Sequence, residues 1–159
     1  MDISAFYGLF SATCFTLVGL WWNVVQGHPQ WLRDDALRRA VGGVYLAFLL
    51  PALMGLFAQV GGSDSAAVWR VSFLVISVVG AVSAIRLFSL TAEEGAAPYQ
   101  AVAAVLYGMV ALIGLAPELV SPLGLAPIQA VALLLILLVV IAHGLVWEFM
   151  RRAAVRDEA

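Results

Sequence analysis

The two histidines and the single cysteine, His28, His143 and Cys14, are the residues from which a metal site or a nucleophilic site would be built. A metal centre needs three or four ligands at suitable spacing, and these three residues lie in a loop and in two different apolar segments. Nucleophilic catalysis also needs an orienting acid beside the base, and no acid lies in the apolar interior. The sequence therefore predicts no metal site, no cofactor and no catalytic site, and we expect a protein that is not an enzyme.

His143 is the deepest titratable residue of the last apolar stretch, roughly 10 Å from the arginines that follow it at 1.5 Å per helical residue. An imidazole at that depth needs a hydrogen-bond partner or water. One interpretation is a neutral histidine bonded to a serine, an asparagine or a backbone carbonyl. The other is a histidine that faces an aqueous path or a symmetry axis, where protonation near neutral pH changes conduction or packing.

Other polar residues are predicted to lie in the same half of the membrane as His143. Polar side chains within membrane spans are costly and tend to mark functional paths. The clustering follows from the predicted orientation of the helices, and it predicts a polar cavity or pore on the inner side. The candidate residues of this site are Asn23, Gln26, Arg86, His143 and Glu148.

Glu148 and Arg86 each have a simple and a functional interpretation. Glu148 lies three and four positions before Arg151 and Arg152, so a local ion pair on one helix is available. Pairing with Arg86 of another helix is the alternative. Arg86 itself lies about one turn from a helix end, where it either extends to the interface or supplies a fixed charge to a vestibule.

The elements that must position these residues are membrane-spanning helices. Apolar residues make up 64% of the 159 residues and charged residues 11%, against roughly 45 to 50% and 25% in a soluble domain. Five apolar stretches approach the roughly 20 residues needed to cross a bilayer as a helix. We predict an all-α fold, a bundle of five transmembrane helices in a single membrane domain covering residues 1–159. The predicted spans are 3–25, 40–60, 68–90, 99–115 and 128–150.

Small residues mark where membrane helices approach one another closely, because lipid supplies no hydrophobic drive between helices. They recur in steps of three and four along the first span and predict either a packing seam or a pore-lining stripe. The third span repeats the spacing, and the fourth is rich in alanine and glycine, so we expect it to be central. The stripe of the first span contains Gly8, Ala12, Thr16 and Gly19, and the third span has Gly80 and Ala84.

The arginines predict the orientation. Every cation in the chain is an arginine, and five spans place all of the eight except Arg70 on one side. Because cytoplasmic loops are enriched in basic residues, we expect the N-terminus outside and the C-terminus in the cytoplasm. The predicted location is the cell membrane, as a multi-pass protein.

Together these features predict an oligomeric channel or permeation pathway for ions or small solutes, formed by or between protomers. The alternative is a non-conducting membrane protein, either a ligand-binding sensor or an accessory subunit, and small-residue stripes that point outward would favour it. The expected partners are the lipid bilayer, further copies of the chain and a small ion or solute. With no phosphate-binding glycine motif and no large basic patch, nucleic acid is not expected.

Overall fold

The computed structural model describes residues 2–61, 66–91 and 97–157, and these ranges form helices and short connections without a strand. Five helices are long and apolar enough to cross a membrane, which confirms the predicted all-α architecture. Two short 3-10 helices, Pro29–Leu32 and Pro117–Leu123, connect α1 to α2 and α4 to α5. The five long helices are α1 (Ile3–Gln26), α2 (Asp35–Gly61), α3 (Ala66–Thr91), α4 (Ala97–Leu115) and α5 (Pro127–Asp157).

Two helices are longer than the apolar stretches that predicted them. The carboxylate of Asp34 accepts hydrogen bonds from the backbone N–H groups of Ala36 and Leu37, both at 2.8 Å. This cap satisfies amide groups that the first helical turn leaves unpaired, so α2 begins at Asp35 rather than at residue 40. At the other end of the chain, α5 continues to Asp157 rather than ending at residue 150.

The helices alternate in direction, and α2 is the central one. It contacts α1, α3 and α5, while α3 packs on α4 and α4 packs on α5. Helices α2 to α5 thus form a four-helix group, and α1 lies outside it, mainly against α2. The expected central position of α4 is wrong, because α4 packs mainly on α3 and α5, whereas α2 packs on α1, α3 and α5.

Glycines let helices approach closely inside the four-helix group. A Cβ atom at Gly80 of α3 would lie 2.7 Å from three ring atoms of Tyr107 in α4. Gly144 of α5 packs in the same way against the ring of Tyr99. The small residues of α3 therefore form a true packing seam, as predicted, and Gly80 and Ala84 are both buried.

Two buried clusters fill the two ends of the bundle. At one end, Phe73, Val110 and Leu135 are fully buried in an apolar core. At the other, the ring of Phe149 makes edge contacts with Trp21 and Trp31, at centroid distances of 5.3 and 4.8 Å. We call this second end, where α1, α3 and α5 end and α2 and α4 begin, the C-terminal end of the bundle.

Candidate functional site

The predicted stripe of α1 faces away from the rest of the chain. Ala12, Thr16 and Gly19 are exposed, and Gly8 is half-buried beside the side chain of Gln59. A Cβ atom at Gly19 would meet nothing within 4 Å. At 3.6 residues per turn, the buried positions lie on the opposite side of the helix. These buried residues are Tyr7, Ser11, Cys14, Val18, Trp21 and Val25.

The outward face of α1 differs from that of α3 in the size of its side chains. We define it by five exposed residues, Ala5, Ala12, Thr16, Gly19 and Asn23, with Leu9 and Leu20 at its edges. The exposed face of α3 instead consists largely of valine and isoleucine, as a face covered by lipid tails would. Its exposed residues include Val71, Val75, Val78, Val82 and Ile85.

The threonine hydroxyls of α1 are satisfied within their own helix. Thr13 donates a hydrogen bond to the carbonyl of Leu9, and Thr16 donates to that of Ala12, both at 2.9 Å. A hydroxyl that is bonded to its own backbone does not need water or a polar partner. The outward face is therefore small and only weakly polar along most of its length.

The five residues predicted to form an inner polar site lie on three different helices, α1, α3 and α5. Asn23, Gln26, Arg86 and His143 are exposed, whereas Glu148 is buried. The helices that carry Asn23 and Arg86 meet near the other end of the bundle, where the ring centroids of Tyr7 and Phe73 lie 6.2 Å apart. A polar site made of these residues would have to be completed by another molecule.

His143 has the carbonyl partner that the simpler interpretation predicts. Its Nδ1 lies 2.8 Å from the carbonyl oxygen of Val139. Because a carbonyl only accepts, Nδ1 must carry the proton. The ring also makes an edge contact with Phe48 of α2, at a centroid distance of 5.3 Å, and the residue remains exposed on the outside of the bundle.

Glu148 forms the predicted local ion pairs. Its Oε1 accepts hydrogen bonds from Nη2 of Arg151 at 2.7 Å and from Nε of Arg152 at 2.9 Å, and its Oε2 accepts one from Nε of Arg151 at 3.0 Å. The side chain of Glu148 is only 11% exposed. Pairing with Arg86 is therefore not the arrangement found, and the carboxylate holds two arginines at the end of α5.

A cavity of about 30 Å³ lies inside the four-helix group, and we call it the interhelical cavity. Three helices line it over the same length, through residues 43–50 of α2, 80–87 of α3 and 100–107 of α4. Seven helical steps correspond to about 10 Å, so the cavity is elongated along the helices. It extends from the C-terminal end of the bundle to the middle of α4, and Leu145 of α5 closes one side.

Gln100, Tyr107 and Ser83 supply the polar side chains of this cavity. Gln100 and Tyr107 are 7% and 4% exposed. The Tyr107 hydroxyl has no hydrogen-bond partner among the residues that the structure describes. In the same part of the chain, no three His, Cys, Asp or Glu side chains are grouped so that they could hold a metal ion.

Sequence analysis misses this site, although one signal for it is present. Gln100 and Tyr107 are seven residues apart, so they share one face of α4. That spacing shows that the two polar side chains lie on the same face of α4. It does not show that a cavity separates this face from α2.

Comparison with known proteins does not identify the chain: no protein-family model, no curated protein and no solved structure matches it.

We expect Glu148→Gln to lower the free energy of unfolding roughly three times as much as Asp35→Asn, because hydrogen bonds to charged groups stabilise about that much more than exposed ion pairs. Asp35 is the matched control, since it pairs with Arg38 at 2.8 Å on the surface, where both side chains are more than half exposed. Reversible unfolding in mixed micelles measures both variants. Equal losses would show that the Glu148 cluster contributes no more than a surface pair.

Proposed function

We propose that this protein is a non-conducting membrane protein, either a ligand-binding sensor or an accessory subunit. We also propose that it associates with further copies of itself. The observation that supports this proposal is the outward face of α1. Small residues on a helix face allow close approach of another helix, and no helix in the described part of the chain packs on this face. Its hydroxyl, that of Thr16, is bonded to the backbone of its own helix, which favours a packing seam over a water-filled lining.

The interior of the protomer supports the same proposal. The interhelical cavity reaches only to the middle of α4. Beyond it lies the apolar core around Phe73, Val110 and Leu135, in which all three side chains are fully buried. A conducting path would need polar lining through both halves, and the described residues provide it in one. We likewise propose that the protein is not an enzyme.

A pathway between protomers for small ions or solutes is the second candidate function. It is favoured by the exposed amides of Asn23 and Gln26, at the same end of the bundle as the exposed His143. If copies met along α1, these amides would lie near the interface. Their position is compatible with a polar mouth at the C-terminal end.

We also propose that the C-terminal end of the bundle faces the cytoplasm and that the protein lies in the cell membrane. Arg33, Arg38, Arg39, Arg151 and Arg152 are all at this end, and basic residues accumulate on the cytoplasmic side. Green fluorescent protein fused after Ala159 should fluoresce, whereas alkaline phosphatase at the same position should be inactive. An active phosphatase with a dark fluorescent fusion would reverse the orientation.

Association through α1 predicts a specific cross-link. In a Cys14→Ala background, Ala12→Cys should form a disulfide-linked dimer in membranes, because the outward faces of two α1 helices meet. Val78→Cys is the matched control, since Val78 is equally apolar and exposed, on α3. Gel electrophoresis without reductant measures the yield. A yield for Ala12→Cys no higher than for Val78→Cys would contradict association through α1.

The absence of conduction is tested by flux into liposomes. We expect the purified, folded and oligomeric protein to leave ion and small-solute permeability unchanged between about pH 5.5 and 8, the range that brackets histidine titration. His143→Ala and Arg86→Ala should likewise leave this permeability unchanged. A selective flux in the wild type that either substitution alters would replace this proposal by the pathway between protomers.

A further inference from the structure

One of the residues that line the interhelical cavity carries a buried polar group that the described part of the chain does not satisfy. The Tyr107 hydroxyl is deeply buried and lacks a partner among the described residues. The ring carbon that bears it is one of the three atoms packed against Gly80, and Gly80 also lines the cavity. An unpaired hydroxyl in an apolar interior is costly, so such groups normally bind protein or ordered water.

Two further polar groups belong to residues that line the same cavity. The Gln100 amide, with two donors and one acceptor oxygen, lies seven residues before Tyr107 and is similarly buried. On α2, the carbonyl of Ala47 loses its usual helical donor, because the residue four positions later is Pro51. In membrane helices that contain proline, ordered water is one of the groups that satisfies such a carbonyl.

The size and charge of the cavity restrict its occupant. None of its described lining residues is charged, so an ion would not be compensated by them. A volume of about 30 Å³ is enough for one or two water molecules, each of which needs roughly 10 to 15 Å³, and is far below the roughly 150 Å³ of a cavity that holds benzene. The occupant is small, uncharged, and able both to donate and to accept hydrogen bonds.

We propose that the interhelical cavity is a hydration site within the membrane span, where water molecules hydrogen-bond to the Gln100 amide and to the Tyr107 hydroxyl. Ser83 lies between these two levels on α3 and offers a further hydroxyl. The water enters from the C-terminal end of the bundle and stops at the apolar core in the middle. This inference goes beyond the proposed association and is independent of α1.

Water-edited solid-state NMR of the protein in lipid tests the proposal. Magnetisation from water should reach the Gln100 side-chain amide and the Tyr107 ring several times faster than the ring of Phe73. Phe73 is the matched control, because it is fully buried and lies about as far from the nearer end of α3 as Tyr107 lies from the nearer end of α4. Both distances are roughly 10 to 12 Å at 1.5 Å per residue. Tyr107→Phe identifies the Tyr107 signals.

A second variant separates water in the cavity from water at the surface. Ala103 lines the cavity and is buried, so Ala103→Val fills the space and should slow transfer to Tyr107 to the rate of Phe73. Transfer to Tyr107 that is as slow as to Phe73 in the wild type would overturn the proposal. Fast transfer that persists in Ala103→Val would overturn it as well, because the water would then lie elsewhere.

Discussion

The contact between the α3 backbone at Gly80 and the ring of Tyr107 is the constraint on which the four-helix group depends. Apolar side chains gain little by exchanging lipid for one another, so shape fit holds membrane helices together. The ring occupies the space that any side chain at Gly80 would fill, and this sets the separation of α3 and α4. Both residues also line the interhelical cavity.

The number and type of helices could be predicted from the sequence, but their arrangement could not. A bilayer requires a minimum apolar length, so five long stretches are enough to identify five spans. Small residues indicate that another helix packs closely against them. They do not indicate whether that helix lies inside the same bundle or outside it. The same pattern lies inside the bundle at Gly80 and Ala84 and outside it at Ala12, Thr16 and Gly19. The central position of α2 depends on contacts among all the helices, which local sequence does not contain.

The candidate sites also differ in whether the sequence predicts them. The ion pairs of Glu148 and the carbonyl partner of His143 arise within one helical turn, so residue spacing predicts both. The interhelical cavity is lined by residues of four helices, and its deepest polar group is a tyrosine that spacing alone would assign to the core. Asn23 and Arg86 were predicted to lie in the same half of the membrane. A shared half does not establish that the two side chains are in contact.

The helices of one bundle have unequal lengths, and a bilayer has one thickness. At 1.5 Å per residue, the 19 residues of α4 span about 28 Å, whereas the 27 residues of α2 span about 40 Å. Hydrophobic mismatch costs free energy for each ångström, and longer helices adapt by tilting or by projecting into water. The described length of α4 is close to the thickness of a hydrocarbon core, so α4 can cross it with little tilt, whereas α2 must tilt or project into water.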